Sequence, residues 1–263
     1  MFNKKYVDVN IGVHICNQTA ENMFSKMNDI QYLTKDGIIK VDIERWKIAQ
    51  KYENKTWMIQ GLEGNDDHNV KNVEMLNNFK DLEGLSFGSA IELGCGPFTN
   101  MRLFLNSFPD IKEVVLVDPL LSSYLNHPNC SYKNAIMNNR KIEIFSLPIE
   151  NLNIDKKYDV VMMINVLEHC YDVNIILNKV VSLMKKGTIF IFSDMMLDFS
   201  EIDRMTRSVW DAGHPIRIST EYMNRFFDLF ETIYRKDNQL ILNQDMVGGN
   251  HEATWFYFIG KCK

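Results

Sequence analysis

Ala90-Ile91-Glu92-Leu93-Gly94-Cys95-Gly96-Pro97 closes an apolar run with a Gly-x-Gly turn. Gly94 and Gly96 lack a Cβ, so the turn takes positive φ and lets a ligand approach the backbone. Pro97 suits the first turn of a following helix, where its missing N–H is no loss. Glu92 is an acid two residues before the turn, which favours a cationic ligand group over a phosphate. Asp118 follows Val114-Val115-Leu116-Val117 and lies 22 positions beyond Gly96 (118 − 96). An acid there can accept both hydroxyls of a ribose. Three histidines are candidate general bases near neutral pH. His169 ends Asn165-Val166-Leu167-Glu168-His169, His214 sits in Asp211-Ala212-Gly213-His214-Pro215, and His251 ends Gly248-Gly249-Asn250-His251. Their plainer readings are a helix brace, a structural loop residue and a solvated hairpin turn.

These residues need strands and helices to bring them together. From Ser89 onward the two alternate, the signature of an α/β parallel sheet. Ser89 to Leu93, Glu113 to Val117, Lys141 to Phe145, Tyr158 to Ile164 and Thr188 to Phe192 read as successive strands. The fourth is almost continuously apolar, hence buried on both faces. Helices are expected over Phe98 to Phe108, from an Asp172 cap to Met184, over Phe199 to Trp210 and over Thr220 to Phe227. Phe230 to Arg235 and Thr254 to Gly260 read as closing strands. Such a sheet binds ligands beyond the carboxyl ends of its strands, where the glycine turn, Asp118 and Asn165 to His169 all fall.

Ahead of the sheet, Val7, Val9, Ile11, Val13 and Ile15 alternate with polar residues, as in a half-buried strand or hairpin arm. His14 is read as a solvent-facing strand residue. Thr19 and Asp42 can cap two helices, and a third is expected around Val70, Val73, Leu76 and Phe79. Trp46, Tyr52 and Trp57 either pack this helical layer or form a lid over a ligand. The stretch from Asp81 to Ser89 reads as a boundary. It divides an N-terminal extension and helical lid, residues 1–85, from a core, residues 86–263.

A dinucleotide fingerprint wants a small residue three places after the second glycine, where this chain has Thr99. Its pyrophosphate would also be repelled by Glu92. A cofactor with an ammonium group and a ribose but no phosphate fits better, and S-adenosylmethionine is that molecule. The four stretches Ala-Ile-Glu-Leu-Gly-Cys-Gly-Pro, Val-Leu-Val-Asp118, Tyr-Asp-Val-Val-Met-Met-Ile-Asn-Val-Leu-Glu-His and Leu-Met-Lys-Lys-Gly-Thr-Ile-Phe-Ile, in this order, resemble the motifs of class I S-adenosylmethionine-dependent methyltransferases. The resemblance covers about residues 86–263. It implies a Rossmann-like, seven-stranded, mostly parallel sheet whose last strand is antiparallel and inserted beside the fifth.

Carried onto this chain, the resemblance implies that Glu92, Gly94 and Gly96 face the methionine part of the cofactor, with Cys95 also among the cofactor-binding residues. It implies that Asp118 holds the ribose, with Pro119 and Leu120 beside the adenine, and that Ile149 and Glu150 also adjoin the adenine. Asn165 and Val166 would line the sulfonium region. Ser146 stands where many members carry Asp, so the contact to the adenine amino group falls to backbone or to Glu150. Trp57 and Gln60, with Gln50, resemble the cofactor-facing lead-in of small-molecule members. Some methyltransferases hold a divalent ion with Glu-x-x-Glu-His and a distant His. Here Asn165 replaces the first acid, so Glu168, His169 and His214 are read as binding no metal.

Bulk properties narrow the setting. The 263 residues carry a formal net charge of -5 with no long Lys/Arg block, which argues against a nucleic-acid partner. Five scattered cysteines without a CxxC pair indicate a reducing compartment, so a cytoplasmic protein is expected. No apolar run reaches the roughly 18 residues of a membrane span. The reading is an enzyme that methylates a small molecule, on a hydroxyl- or phosphate-type acceptor such as a nucleotide- or sugar-linked surface-polysaccharide precursor. Its alternatives are a non-catalytic cofactor-binding partner subunit and a nicotinamide-dependent dehydrogenase.

Overall fold

The computed structural model describes residues 6–8, 13–15, 33–60, 67–208, 212–242 and 250–263. In chain order, β1 (Tyr6–Asp8) and β2 (Val13–Ile15) form an antiparallel hairpin. The helix expected after Thr19 lies outside the described residues. β3 (Leu33–Thr34) and β4 (Gly37–Ile38) precede α1 (Ile43–Gln60) and α2 (Asp67–Met75). Then come β5 (Ser89–Leu93), α3 (Met101–Ser107), β6 (Glu113–Val117) and α4 (Leu121–Tyr124). β7 (Ile136–Met137), β8 (Arg140–Lys141), β9 (Glu143–Phe145), β10 (Val160–Ile164) and α5 (Val173–Ser182) follow. The chain closes with β11 (Ile189–Leu197), α6 (Phe199–Ser208), β12 (Arg217–Ile218), α7 (Thr220–Phe227), β13 (Phe230–Leu242) and β14 (His251–Cys262).

Seven strands form one sheet in the order β13-β14-β11-β10-β5-β6-β9. β14 runs antiparallel between β11 and β13, and the rest are parallel to one another. The period-two alternation of each strand divides the core between two faces. Ile91, Leu93, Val115, Val117, Val161 and Met163 pack on one side with Phe190 and Phe192. Ala90, Val114, Leu116, Val160, Met162 and Ile164 pack on the other against Phe104 and Leu105 of α3. β10 is buried along its whole length, as its unbroken apolar run predicts. Each such aliphatic side chain contributes roughly 1.5–3 kcal/mol.

Several boundaries differ from expectation. The third strand shrinks to Glu143–Phe145, because Arg140–Lys141 pairs instead with Ile136–Met137 in a separate hairpin. α3 begins at Met101, three residues late, because Thr99 at φ +38° interrupts helical geometry before it, and Glu92 then accepts from the N–H groups of Asn100 and Met101. β11 and β14 run longer than their apolar cores, since each continues as the other's partner out to Leu197 and Ala253. β13 likewise pairs with β14 as far as Leu242.

The lead-in is stitched to the core by backbone bonds. β12, β4 and β3 form a small antiparallel sheet. The Val41 N–H donates to the Tyr171 carbonyl at 3.0 Å, and the Val173 N–H donates to the Ile39 carbonyl at 3.0 Å. These contacts lay α1 across the carboxyl ends of the central strands. No described helix is long and apolar enough to cross a membrane.

Candidate active site

Beyond the carboxyl ends of β5, β6, β9 and β10, and under α1, lies a cleft. The glycine turn forms its floor. The Gly94 N–H donates to the Val117 carbonyl at 2.7 Å, and its φ of +73° leaves no space for a side chain: a Cβ would lie 2.4 Å from Val166. At Gly96, φ +55°, a Cβ would meet nothing within 4 Å. The first glycine is therefore demanded by packing, the second by conformation and by what approaches it.

Asp118 is 8% exposed and lines the cleft. One carboxylate oxygen accepts from the Gly96 N–H at 3.1 Å and the other from the Leu120 N–H at 2.8 Å. Burial pushes its pKa up to about 6 against those bonds. Each oxygen keeps a second lone pair for a ligand hydroxyl. Cys95, Pro119, Leu120, Ile149, Glu150, Asn165 and Val166 also line the cleft. Glu150 is partly occupied: Oε1 accepts from the N–H groups of Tyr171 at 2.8 Å and Asp172 at 3.3 Å. The Ser146 hydroxyl pairs with that of Ser122 at 2.9 Å and is not part of the lining.

Two expectations are corrected by the geometry. Glu92 does not line the cleft and is 1% exposed. Its carboxylate accepts from the N–H groups of Asn100 and Met101, each at 3.0 Å, and from the Thr99 hydroxyl. It closes the start of α3 rather than facing a ligand, and burial pushes its pKa up to about 7. His251 does not line the cleft either. β10 ends at Ile164 opposite Ser193, whereas β11 continues to Leu197 and pairs with Ala253, so the start of β14 overshoots the cleft. His251 is buried there with Nδ1 2.8 Å from Glu201 of α6. The Gln60 side chain lies outside the described residues.

The other two histidines come together. His169 lines the cleft, and the His214 ring lies 4.5 Å from it between centroids. Nδ1 of His169 is 3.2 Å from the Gly213 carbonyl and 3.7 Å from Glu53 Oε1. Nε2 of His214 is 3.6 Å from Glu168 Oε1. Asp194, fully buried on β11, accepts from the N–H groups of Val166 at 3.1 Å and Leu167 at 2.8 Å, which sets the turn that carries Glu168 and His169. Burial raises its pKa to about 6, and nearby His214 opposes the rise. From above, Trp46 Nε1 and Gln50 Nε2 both donate to the His169 carbonyl at 3.1 Å.

Trp46, Gln50, Glu53 and Trp57 all line the cleft, so the aromatic lid is in place as a wall. Sequence reasoning missed Glu53, Asn69 and Tyr124, which line it too. Glu53 was findable, because positions 46, 50, 53 and 57 share one helical face. Tyr124 and Asn69 carry no comparable signal.

The lining includes Glu53, Asp118 and Glu150 but no Lys or Arg among the described residues. That charge suits a cationic nucleoside and opposes a pyrophosphate. The open cradle at Gly96 and the paired oxygens of Asp118 fit a ribose-bearing, positively charged cofactor.

A sequence profile described as a methyltransferase domain matches residues 68–229. No curated protein sequence matches the chain. Among solved structures the chain resembles the N-methyltransferase NodS of Bradyrhizobium japonicum WM9, in complex with S-adenosyl-L-homocysteine. The identity is 14%, over 76% of this chain and 90% of that one, with a TM-score of 0.51. Coclaurine N-methyltransferase, bound to N-methylheliamine and S-adenosyl-L-homocysteine, is 14% identical over 94% of this chain and 88% of that one, with a TM-score of 0.53. The StiE O-MT segment is 13% identical over 78% of each chain, with a TM-score of 0.52. At these identities the likeness is one of fold.

Proposed function

This chain belongs to the methyltransferase-domain family, and we propose that it methylates a hydroxyl group of an uncharged, sugar-like small molecule. Its cofactor is S-adenosylmethionine, which when bound supplies a methyl group already activated on a sulfonium. The nicotinamide alternative is thereby set aside. What remains for the protein is alignment, exclusion of water and handling of the acceptor's proton.

The residues divide along those lines. Asp118 would take the ribose hydroxyls, Gly94 and Gly96 the close approach of the methionine part, and Ile149 with Leu120 the adenine faces. Asn165 and Val166 line the cleft together with His169. Trp46 and Trp57 of α1 line the cleft, where they would help exclude water around the bound cofactor.

The observation that carries the hydroxyl reading is the pairing of His169, which lines the cleft, with His214, which does not, each within 3.7 Å of a carboxylate. A sulfonium needs no help to methylate a strong nucleophile. A hydroxyl of high pKa does need its proton handled, and braced imidazoles suit that task. Support for a phosphate-type acceptor is lost: inside the cleft it would face Glu53, Asp118 and Glu150 with no lining cation. A sugar-linked precursor remains within the proposal, with any phosphate held outside the cleft.

The test is turnover. Purified protein with S-adenosylmethionine and a panel of hydroxylated, amine and phosphate acceptors should release S-adenosylhomocysteine with hydroxylated sugars. His214→Ala should lower that turnover by about 10²-fold while leaving S-adenosylhomocysteine affinity unchanged. Methylation of amines alone would overturn the acceptor class. Cofactor binding without turnover on any acceptor would favour the partner-subunit alternative. In a thermal-shift titration S-adenosylhomocysteine should stabilise the protein and NAD should not.

A further inference from the structure

We propose that Glu53, His169 and His214 form a binding site for a divalent transition-metal ion at the wall of the cleft. Sequence spacing argued against a metal because Asn165 replaces an acidic ligand. The fold supplies the missing acid from elsewhere, since Glu53 descends from α1 onto the two histidines. One potential ligand atom from each of the three residues lies within 4.8 Å of the others. In a tetrahedral centre with bonds of about 2.1 Å, ligand atoms stand about 3.4 Å apart. His169 Nδ1 stands 3.7 Å from Glu53 Oε1, and to bind an ion it would exchange its 3.2 Å contact with the Gly213 carbonyl for the metal bond. Side-chain adjustments of about an ångström close the rest.

Three further observations point the same way. The group is enclosed, with the Glu53 and His169 side chains 11% and 17% exposed. Glu168 adds a second carboxylate 3.6 Å from His214 Nε2. Gly213 is shaped for the arrangement: a Cβ there would lie 2.5 Å from Glu53 Oε1.

Two imidazole nitrogens and one carboxylate oxygen select a borderline ion such as Zn²⁺ over harder ions such as Mn²⁺, Mg²⁺ or Ca²⁺. Three protein ligands leave a coordination position open toward the cleft, the pattern of a reactive rather than a structural centre. Glu168 behind His214 is the carboxylate–histidine support such ligands use. The imidazoles would then handle the acceptor hydroxyl as ligands of an ion rather than as free bases. The inference needs only the cluster and does not depend on the acceptor.

The test measures the ion directly. Full-length protein, stripped by dialysis against a chelator, is titrated with Mn²⁺ by electron paramagnetic resonance and separately with Zn²⁺ against a chromophoric chelator. One equivalent should bind, Zn²⁺ more tightly than Mn²⁺. Glu53→Gln and His214→Ala should each weaken binding by about 10²-fold or more, and Glu168→Gln by about 10-fold. Retained stabilisation by S-adenosylhomocysteine shows that each variant is folded. If one variant fails that check, the others and the wild-type stoichiometry decide. No stoichiometric binding by the wild type, or equal binding by the folded variants, overturns the site. Bound ion without sugar methylation would sink the acceptor proposal and leave the site standing. Sugar methylation that survives chelation, with no bound ion, does the reverse.

Discussion

Glu92 and Asp118 are both buried acids at adjoining strand ends, yet their oxygens are spent differently. Glu92 accepts only from residues 99–101 and braces a helix, whereas Asp118 accepts two backbone bonds and still fronts the cleft. Asp118→Ala should therefore weaken S-adenosylhomocysteine binding by about 1–3 kcal/mol in calorimetry, the loss of charge-assisted hydrogen bonds. Unchanged affinity would remove Asp118 from the cofactor seat. Glu92→Ala should act on stability, because it strands buried donors at the start of α3. A fall in Tm that cofactor only partly restores is the expected result. Gly94→Ala combines a positive φ with a Cβ 2.4 Å from Val166, so it should cost both stability and cofactor affinity.

At the level of elements, α1 does more than cover the site. Its face at Trp46, Gln50, Glu53 and Trp57 recurs at intervals of four, three and four residues, and all four reach the cleft. Two of them donate to the His169 carbonyl and a third faces its ring, so the helix positions the histidine as well as enclosing it. Trp46→Phe keeps the ring contact with Tyr171 but loses one donor to His169. It should lower kcat more than it raises the S-adenosylhomocysteine Kd. Gly213→Ala should behave alike, because its methyl displaces the Glu53 carboxylate and the Tyr52 ring. A loss confined to cofactor affinity in either variant would mean that α1 serves the cofactor alone.

The whole molecule carries several buried acids with raised pKa values, and these set its response to pH. Burial pushes Glu92 from 4.5 to about 7, and Asp118 and Asp194 from 3.8 to about 6. Between the unfolded and folded values the native state binds more protons than the unfolded chain, so its stability falls as pH rises through that window. Asp159 and Glu201, held low despite burial by Lys185 and Arg204, titrate below it. Tm measured without cofactor should therefore decline from about pH 5 to about pH 7.5. A rising Tm over that range would mean these carboxylates are ionised throughout. Such an outcome would also leave the Asp118 hydrogen bonds at full strength.

The sheet was legible because its signals are local. Apolar runs of strand length, the Gly-x-Gly turn and the Asp172 cap each act within a few residues, and strands so marked can close only into a few topologies. That reading buried β10 on both faces, as observed, and the resemblance to class I methyltransferases implied β14 antiparallel beside β11, also as observed. It also placed the glycine turn, Asp118 and Asn165 at one end of the sheet, because parallel strands deliver their following residues to the same side. Tertiary structure alone decided which acids face the cleft, since Glu92 and Asp118 look alike until hydrogen-bond partners are counted. It also decided how far paired strands extend: β11 and β14 continue on each other's backbone bonds, which carries His251 away from the cleft. Above all it brought Glu53 to His169 and His214 across more than a hundred residues. That meeting depends on how α1 packs over the sheet, and no spacing along the chain encodes it.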